Sequence, residues 1–167
     1  NKDKIHTLKM NIKNILLFSL LFLSCTKRMA NFNTEPFYKL VNSISENTKD
    51  YCLDTTGKYN LFQSASLVEN ARLVITHDTG LMHIAAAKHQ KIISLWGNTV
   101  PEFGMYPFLP EGSGESAIFE SENLSCRPCS KIGFEKCPKG HFKCMNDLDI
   151  SKIAEVAKGW WGQGAAF

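Results

Sequence analysis

Two short apolar runs flank a helix-like stretch that opens on Asp-Thr-Gly, and no other feature of the chain narrows its fold as much. The first run is Arg72-Leu73-Val74-Ile75-Thr76 and the second is Lys91-Ile92-Ile93-Ser94-Leu95-Trp96. Both are rich in β-branched residues and neither alternates polar with apolar, so both read as strands buried on two faces. Between them, Thr79 to His89 reads as a helix, with Ala85-Ala86-Ala87 small enough to let it pack closely on a sheet. Two strands joined through a helix lie parallel, because a parallel pair needs a long crossover.

The same alternation extends on both sides. Tyr51-Cys52-Leu53 and Ala117-Ile118-Phe119 read as further strands, and Ser64 to Asn70 as a helix with Leu67 and Val68 inward. Pro36 to Glu46 and Asp149 to Trp160 read as helices, the second with Ile150, Ile153, Ala154 and Ala157 on one face and Trp160-Trp161 docking its end. Gly97 to Gly114 is expected to be loop. The pattern predicts an α/β fold, a Rossmann-like parallel sheet with flanking helices. At 167 residues, 44% apolar and 21% charged, the chain can bury the core of one domain. Its net charge of +3 is too small to point to nucleic acid as a partner.

Sheets of this kind take ligands beyond the carboxyl ends of their strands. At that end of the first strand, Asp78 is placed to cap the helix, accepting from the free N–H groups of the first turn. Gly80 lies inside that turn and would let a phosphate approach the backbone. Thr79 and His83 are four apart and share one helix face. Plain capping beside a core histidine is the alternative. Asp-Thr-Gly also occurs in aspartic proteases, but in an all-β setting, which the following helix argues against. After the second strand, Gly97 lets the chain turn while Asn98 and Thr99 supply polar groups. In a right-handed crossover this loop lies beside the Asp78 turn.

The two turns together resemble glycosyltransferase family 9, which includes the ADP-heptose:lipopolysaccharide heptosyltransferases. The family's Asp-Thr-Gly-x-x-His-x-Ala-Ala-Ala motif matches Asp78 to Ala87, and its Gly-x-Thr-x-Pro loop matches Gly97, Thr99 and Pro101. An upstream Gly-x-x-x-Leu-x-x-(Ser/Thr) element is matched more loosely by Gly57, Leu61 and Ser64, and the likeness covers roughly residues 51–160. It implies a GT-B architecture of two Rossmann-like domains, with residues 31–160 giving most of the C-terminal, nucleotide-sugar-binding one. It implies transfer of a sugar, with inversion, from an ADP-heptose-like nucleoside diphosphate sugar to a lipid A-core or related glycan acceptor, without a catalytic metal. Carried over residue by residue, Asp78 contacts the donor sugar and Thr79, Gly80 and His83 hold the diphosphate. Leu81, Gly97, Asn98 and Thr99 complete the donor-binding set. The family's catalytic carboxylate belongs to an N-terminal domain with no counterpart here. The lysine and glutamate that bind phosphate and ribose in its second domain also lack counterparts. The chain is thus expected to be a partial domain, donor-binding but dependent on that missing domain for transfer. A non-catalytic nucleotide-binding module and an exported cysteine-rich lipoprotein are the alternatives.

Of six cysteines, Cys126, Cys129, Cys137 and Cys144 fall within nineteen residues, in a loop spanning 124–145. Their C-x2-C-x7-C-x6-C spacing lets four thiolates hold a tetrahedral structural zinc, although the second pair is wider than standard patterns. Lys131, Lys136 and Lys139 would offset the thiolate charge, and Pro128 and Gly133 allow tight turns. Two disulfides or four free thiols are the alternatives, and His141 is a further candidate ligand.

Residues 1–30 fit the domain poorly. A short basic stretch from Met10 leads into the nine-residue run Ile15 to Leu23 and then Ser24-Cys25, which resembles a bacterial lipoprotein signal. The run is too short to span a bilayer, which takes about 20 apolar residues. A buried element or a non-native start are the other readings. A signal would export the chain, whereas nucleotide-sugar chemistry places it in the cytoplasm or peripherally at the inner membrane. Residues 161–167 are expected to fray.

Overall fold

A computed structural model describes Thr55, residues 57–134 and residues 136–162. The expected helix at 36–46, the strand at 51–53 and the signal-like run lie outside these residues.

The first helix, α1 (Leu61–Glu69), starts earlier than its apolar pattern indicates, because Asn60 and Gln63 close a capping box ahead of it. Gln63 N–H donates to Asn60 Oδ1, and Asn60 N–H donates to Gln63 Oε1, each at 2.9 Å. This satisfies two donors that a helix start leaves unpaired. Then follow β1 (Val74–His77), α2 (Gly80–Ala87), β2 (Ile92–Trp96) and β3 (Ser116–Glu120). The three strands form one sheet in the order β1-β2-β3. Both pairs are parallel, with Val74 opposite Ile92, His77 opposite Leu95 and Trp96 opposite Glu120. The predicted α/β class and parallel sheet are therefore present.

β2 is the central strand and every residue of it is buried. Its alternation divides the core in two. On one face Ile92 and Trp96 pack with Val74 against Leu81, Met82, Ala85 and Ala86 of α2 and Val68 of α1. On the other, Ile93 and Leu95 pack with Leu73, Leu148 and Ile153, and Trp160 rests against this cluster. The second face is covered by a short helix, α3 (Lys143–Asn146), and by α4 (Ile150–Gly162). Helices therefore cover both faces of the sheet, as a parallel sheet requires.

Three local readings need correction. α3 interrupts the cysteine loop, where no helix was expected. A short 3₁₀ turn, Pro101–Phe103, breaks the loop after β2. Ile150 is 66% exposed: Asp149 caps α4 through its side chain, with Lys152 N–H donating to Asp149 Oδ1 at 2.9 Å, so Ile150 falls in the first turn, and inward packing begins at Ile153.

Candidate functional site

The carboxyl ends of β1 and β2 carry the two turns that the sequence singled out, and one hydrogen bond joins them. Thr99 Oγ1 donates to Asp78 Oδ2 at 3.0 Å, with Thr99 buried and Asp78 half-buried. This bond corrects the capping role expected of Asp78. The residue before α2 is Thr79, in extended conformation, and its side chain makes no capping bond. Asp78 lies one position too early, and its carboxylate is taken by Thr99 instead. Thr79 Oγ1 lies 3.4 Å from Thr76 Oγ1, and Thr76 Oγ1 donates to His77 O at 3.0 Å.

The start of α2 is consequently left without a side-chain cap. Its first N–H groups have no partner within the helix, and they carry the positive end of the helix dipole. Gly80 is exposed, and a Cβ added there would meet no atom within 4 Å. His83 is exposed one turn further on. Leu81 differs from these: it is 3% exposed, so its side chain belongs to the core and only its backbone can face a ligand. Two clefts, of about 590 and 1040 Å³, open near the end of β3, around Glu102 and Glu120 to Leu124, and neither is lined by Asp78, Thr79, Gly80 or His83.

The loop after β2 is held from behind. Gly97 was expected to supply a turn, yet its φ is not in the left-handed region; a Cβ there would come within 2.8 Å of Met145 Sδ, so glycine serves close packing. Asn98 Nδ2 donates to Phe134 O at 2.8 Å, which aims this amide at the cysteine loop. Gly133, at φ +78°, lies directly against it. Arg127 donates to Gly97 O, Thr99 O, Ser121 O and Glu120 Oε2. Sequence reasoning passed over Arg127, and its only signal was a cation placed between two cysteines and a proline.

The zinc geometry does not form. All four clustered cysteines are free thiols, and among the described residues no three His, Cys, Asp or Glu side chains are grouped to hold a metal ion. The thiols have separate engagements instead. Cys129 Sγ donates to Cys126 O at 3.4 Å, and Cys126 Sγ lies 3.8 Å from His141 Nε2. Cys144 is buried next to Gly97. Backbone N–H groups, Phe142 first and then Lys139, His141 and Gly140, draw the Cys137 pKa below its ordinary value against the opposing effect of desolvation. Desolvation pushes Cys129 and Cys144 up, reinforced by the neighbouring thiols.

The profile of glycosyltransferase family 9 (heptosyltransferase) matches residues 27–136, a span that holds both turns. The chain belongs to glycosyltransferase family 9. The lipooligosaccharide heptosyltransferase 2 of Haemophilus influenzae is 34% identical over 91 residues, which is 54% of this chain and 26% of that protein. Its namesake in Campylobacter jejuni is 31% identical over 121 residues, 72% of this chain and 34% of that protein. The lipopolysaccharide heptosyltransferase 2 of Escherichia coli is 28% identical over 65 residues, 39% of this chain and 19% of that protein. The chain thus spans about a third or less of the length of these curated relatives. No solved structure matches it. The family 9 match ends before Cys137 and Cys144, so it takes in only the first two thiols of the cluster.

Proposed function

We propose that this chain provides the donor-binding wall of a family 9 glycosyltransferase. The Thr99–Asp78 hydrogen bond carries the reading, because it ties both family-like turns together beside the uncapped start of α2. In this reading the N–H groups at Gly80 and Leu81, with Thr79 and His83, receive the diphosphate of a nucleoside diphosphate sugar. Asp78, oriented by Thr99, accepts from a hydroxyl of the donor sugar. Gly97 and Asn98 form the supporting loop. The N–H donors offset the negative charge that grows on the leaving diphosphate, and preorganised donors at that point lower the barrier. In this reading the transfer inverts the sugar and runs from an ADP-heptose-like donor to a lipopolysaccharide-type acceptor; the family match and the heptosyltransferase names of the relatives support the heptosyl group and the acceptor class. Transfer needs no metal in this reading, and it takes its catalytic base from a domain outside this sequence. The site of action is the cytoplasm or the inner face of the membrane, where such donors are made. No helix among the described residues is long and apolar enough to cross a membrane.

Calorimetric titration with ADP, UDP and an ADP-sugar tests the reading. The chain is expected to bind at least one of them at millimolar concentration or below. Asp78→Ala is expected to weaken the ADP-sugar about tenfold, on the scale of one charge-assisted hydrogen bond, and to weaken free ADP much less. No binding by the unaltered chain sinks the proposal. Equal losses for ADP and the ADP-sugar reduce Asp78 to a support for the loop. Binding of nucleotide alone, with no preference for the sugar, favours a non-catalytic nucleotide module.

A further inference from the structure

The Arg127 side chain is only 7% exposed, yet it carries a full charge. Glu120 balances that charge through an ion pair of 2.7 Å at the end of β3. A buried cation is tolerated when it is paired and its remaining N–H groups are hydrogen-bonded. Three more of the five Arg127 N–H donors go to backbone oxygens: Nε to Gly97 O at 2.6 Å, Nη1 to Ser121 O at 2.8 Å and Nη2 to Thr99 O at 3.0 Å. Cys129 N–H also donates to Asn98 O at 2.9 Å. Three consecutive carbonyls of the Gly97–Thr99 loop therefore accept from the Arg127–Cys129 segment. The Thr99 hydroxyl, in turn, holds Asp78.

We infer that Arg127 is a positioning residue for the donor site, acting through the Gly97–Thr99 loop to fix the Asp78 carboxylate. The inference rests on the donor-site reading given above. The guanidinium forms a strut from the end of β3 to the loop after β2, and it reaches the Asp78 turn only by way of Thr99. Lysine cannot replace it: a planar fork satisfies several acceptors at fixed angles, whereas an ammonium is a single mobile point charge. The cysteine loop thereby acquires a role that needs no metal, since it delivers this strut.

The test compares the unaltered full chain with Arg127→Lys, Thr99→Val and the double variant, each first shown to be folded by circular dichroism. Arg127→Lys and Thr99→Val should each weaken an ADP-sugar about fivefold to tenfold, the range for loss of an oriented hydrogen bond to a charged group, and weaken ADP little. The double variant should lose no more than the larger single, because both changes release the same carboxylate. Losses that add, equal losses for ADP and the ADP-sugar, or unchanged binding by Arg127→Lys overturn the inference. If Arg127→Lys does not fold, Glu120→Gln removes the counter-charge and keeps an acceptor oxygen. Its effect should again be larger on the ADP-sugar than on ADP, and no difference overturns the inference. A ligand-free readout separates failure of the inference from failure of the donor site. Amide hydrogen exchange at Met82, whose N–H donates to Thr79 O at 3.0 Å, should accelerate in Arg127→Lys, although the hydrogen bonds of Arg127 go to Gly97, Thr99, Ser121 and Glu120, and unchanged exchange there overturns the coupling. An unaltered chain that binds neither probe overturns the donor reading, while the exchange result still decides whether the strut sets the turn.

Discussion

Cys137 differs from its neighbouring thiols in what surrounds it. Backbone N–H groups from Phe142, Lys139, His141 and Gly140 lower its pKa, while desolvation raises those of Cys129 and Cys144. Thiolate is the reactive form, so reactivity follows these directions. At neutral pH, iodoacetamide is expected to label Cys137 several-fold faster than Cys129 or Cys144, as followed by mass spectrometry of the corresponding peptides. The advantage over Cys129 should shrink as pH rises above the ordinary thiol range, because Cys129 then ionises as well. A ratio that stays constant with pH would assign the difference to access alone. Sequence spacing brought these four cysteines to notice, but it could not tell a ligand set from four separately engaged thiols. That distinction depends on where each sulfur points, which here is towards a carbonyl, an imidazole, a run of amides and a packed core.

Elements of this fold are set by their ends as much as by their apolar faces. α1 begins at Leu61 because Asn60 and Gln63 bond each other's backbone. The pair sits three apart in the sequence, so the signal was legible; apolar periodicity alone placed the start at Ser64. Asn60→Ala is expected to cost about 1 kcal/mol of stability, read as a lower urea midpoint with an unchanged slope. An unchanged midpoint would mean that packing of Val68 and Leu67 on α2 suffices to hold the helix. α2 shows the opposite arrangement. Its N-cap position is Thr79, a good capping residue type, yet the hydroxyl makes no capping bond. A local choice that breaks its own rule is expected where a site needs the open group. The sequence read Asp78 as the cap because its residue type and position suit one. The bond to Thr99, twenty-one residues away, overrides that local preference.

At the scale of the molecule, packing of helices on both faces of the sheet also fixes a titration. His77 ends β1 half-buried, and desolvation holds its pKa below the ordinary 6.5, partly offset by a hydrogen bond to the Leu95 backbone. A histidine lowered in the folded state binds its proton more readily when unfolded, so stability falls as pH drops below about 6.5 and levels off below the folded value. Urea unfolding between pH 7.5 and 5 should show this loss. His77→Gln should flatten it, and an unaltered pH slope in that variant would assign the loss to other groups.

The α/β class, the parallel crossover from Val74 to Trp96 and the two polar turns at one edge of the sheet are legible in the residues alone. These are local matters: β-branched runs select strands, small residues select a close-packed helix, and short connections leave few topologies. Family membership was legible for the same reason, since its motifs are short and contiguous. What each turn residue does depends on the packed fold. It moved Asp78 from capping to a bond with Thr99, put the Leu81 side chain in the core, turned Asn98 towards Phe134, and gave Gly97 a packing role against Met145. It also brought Arg127 beneath the second turn. A side chain's partner is chosen by whichever group the fold brings within about 3 Å, and for these residues that group lies many positions away along the chain.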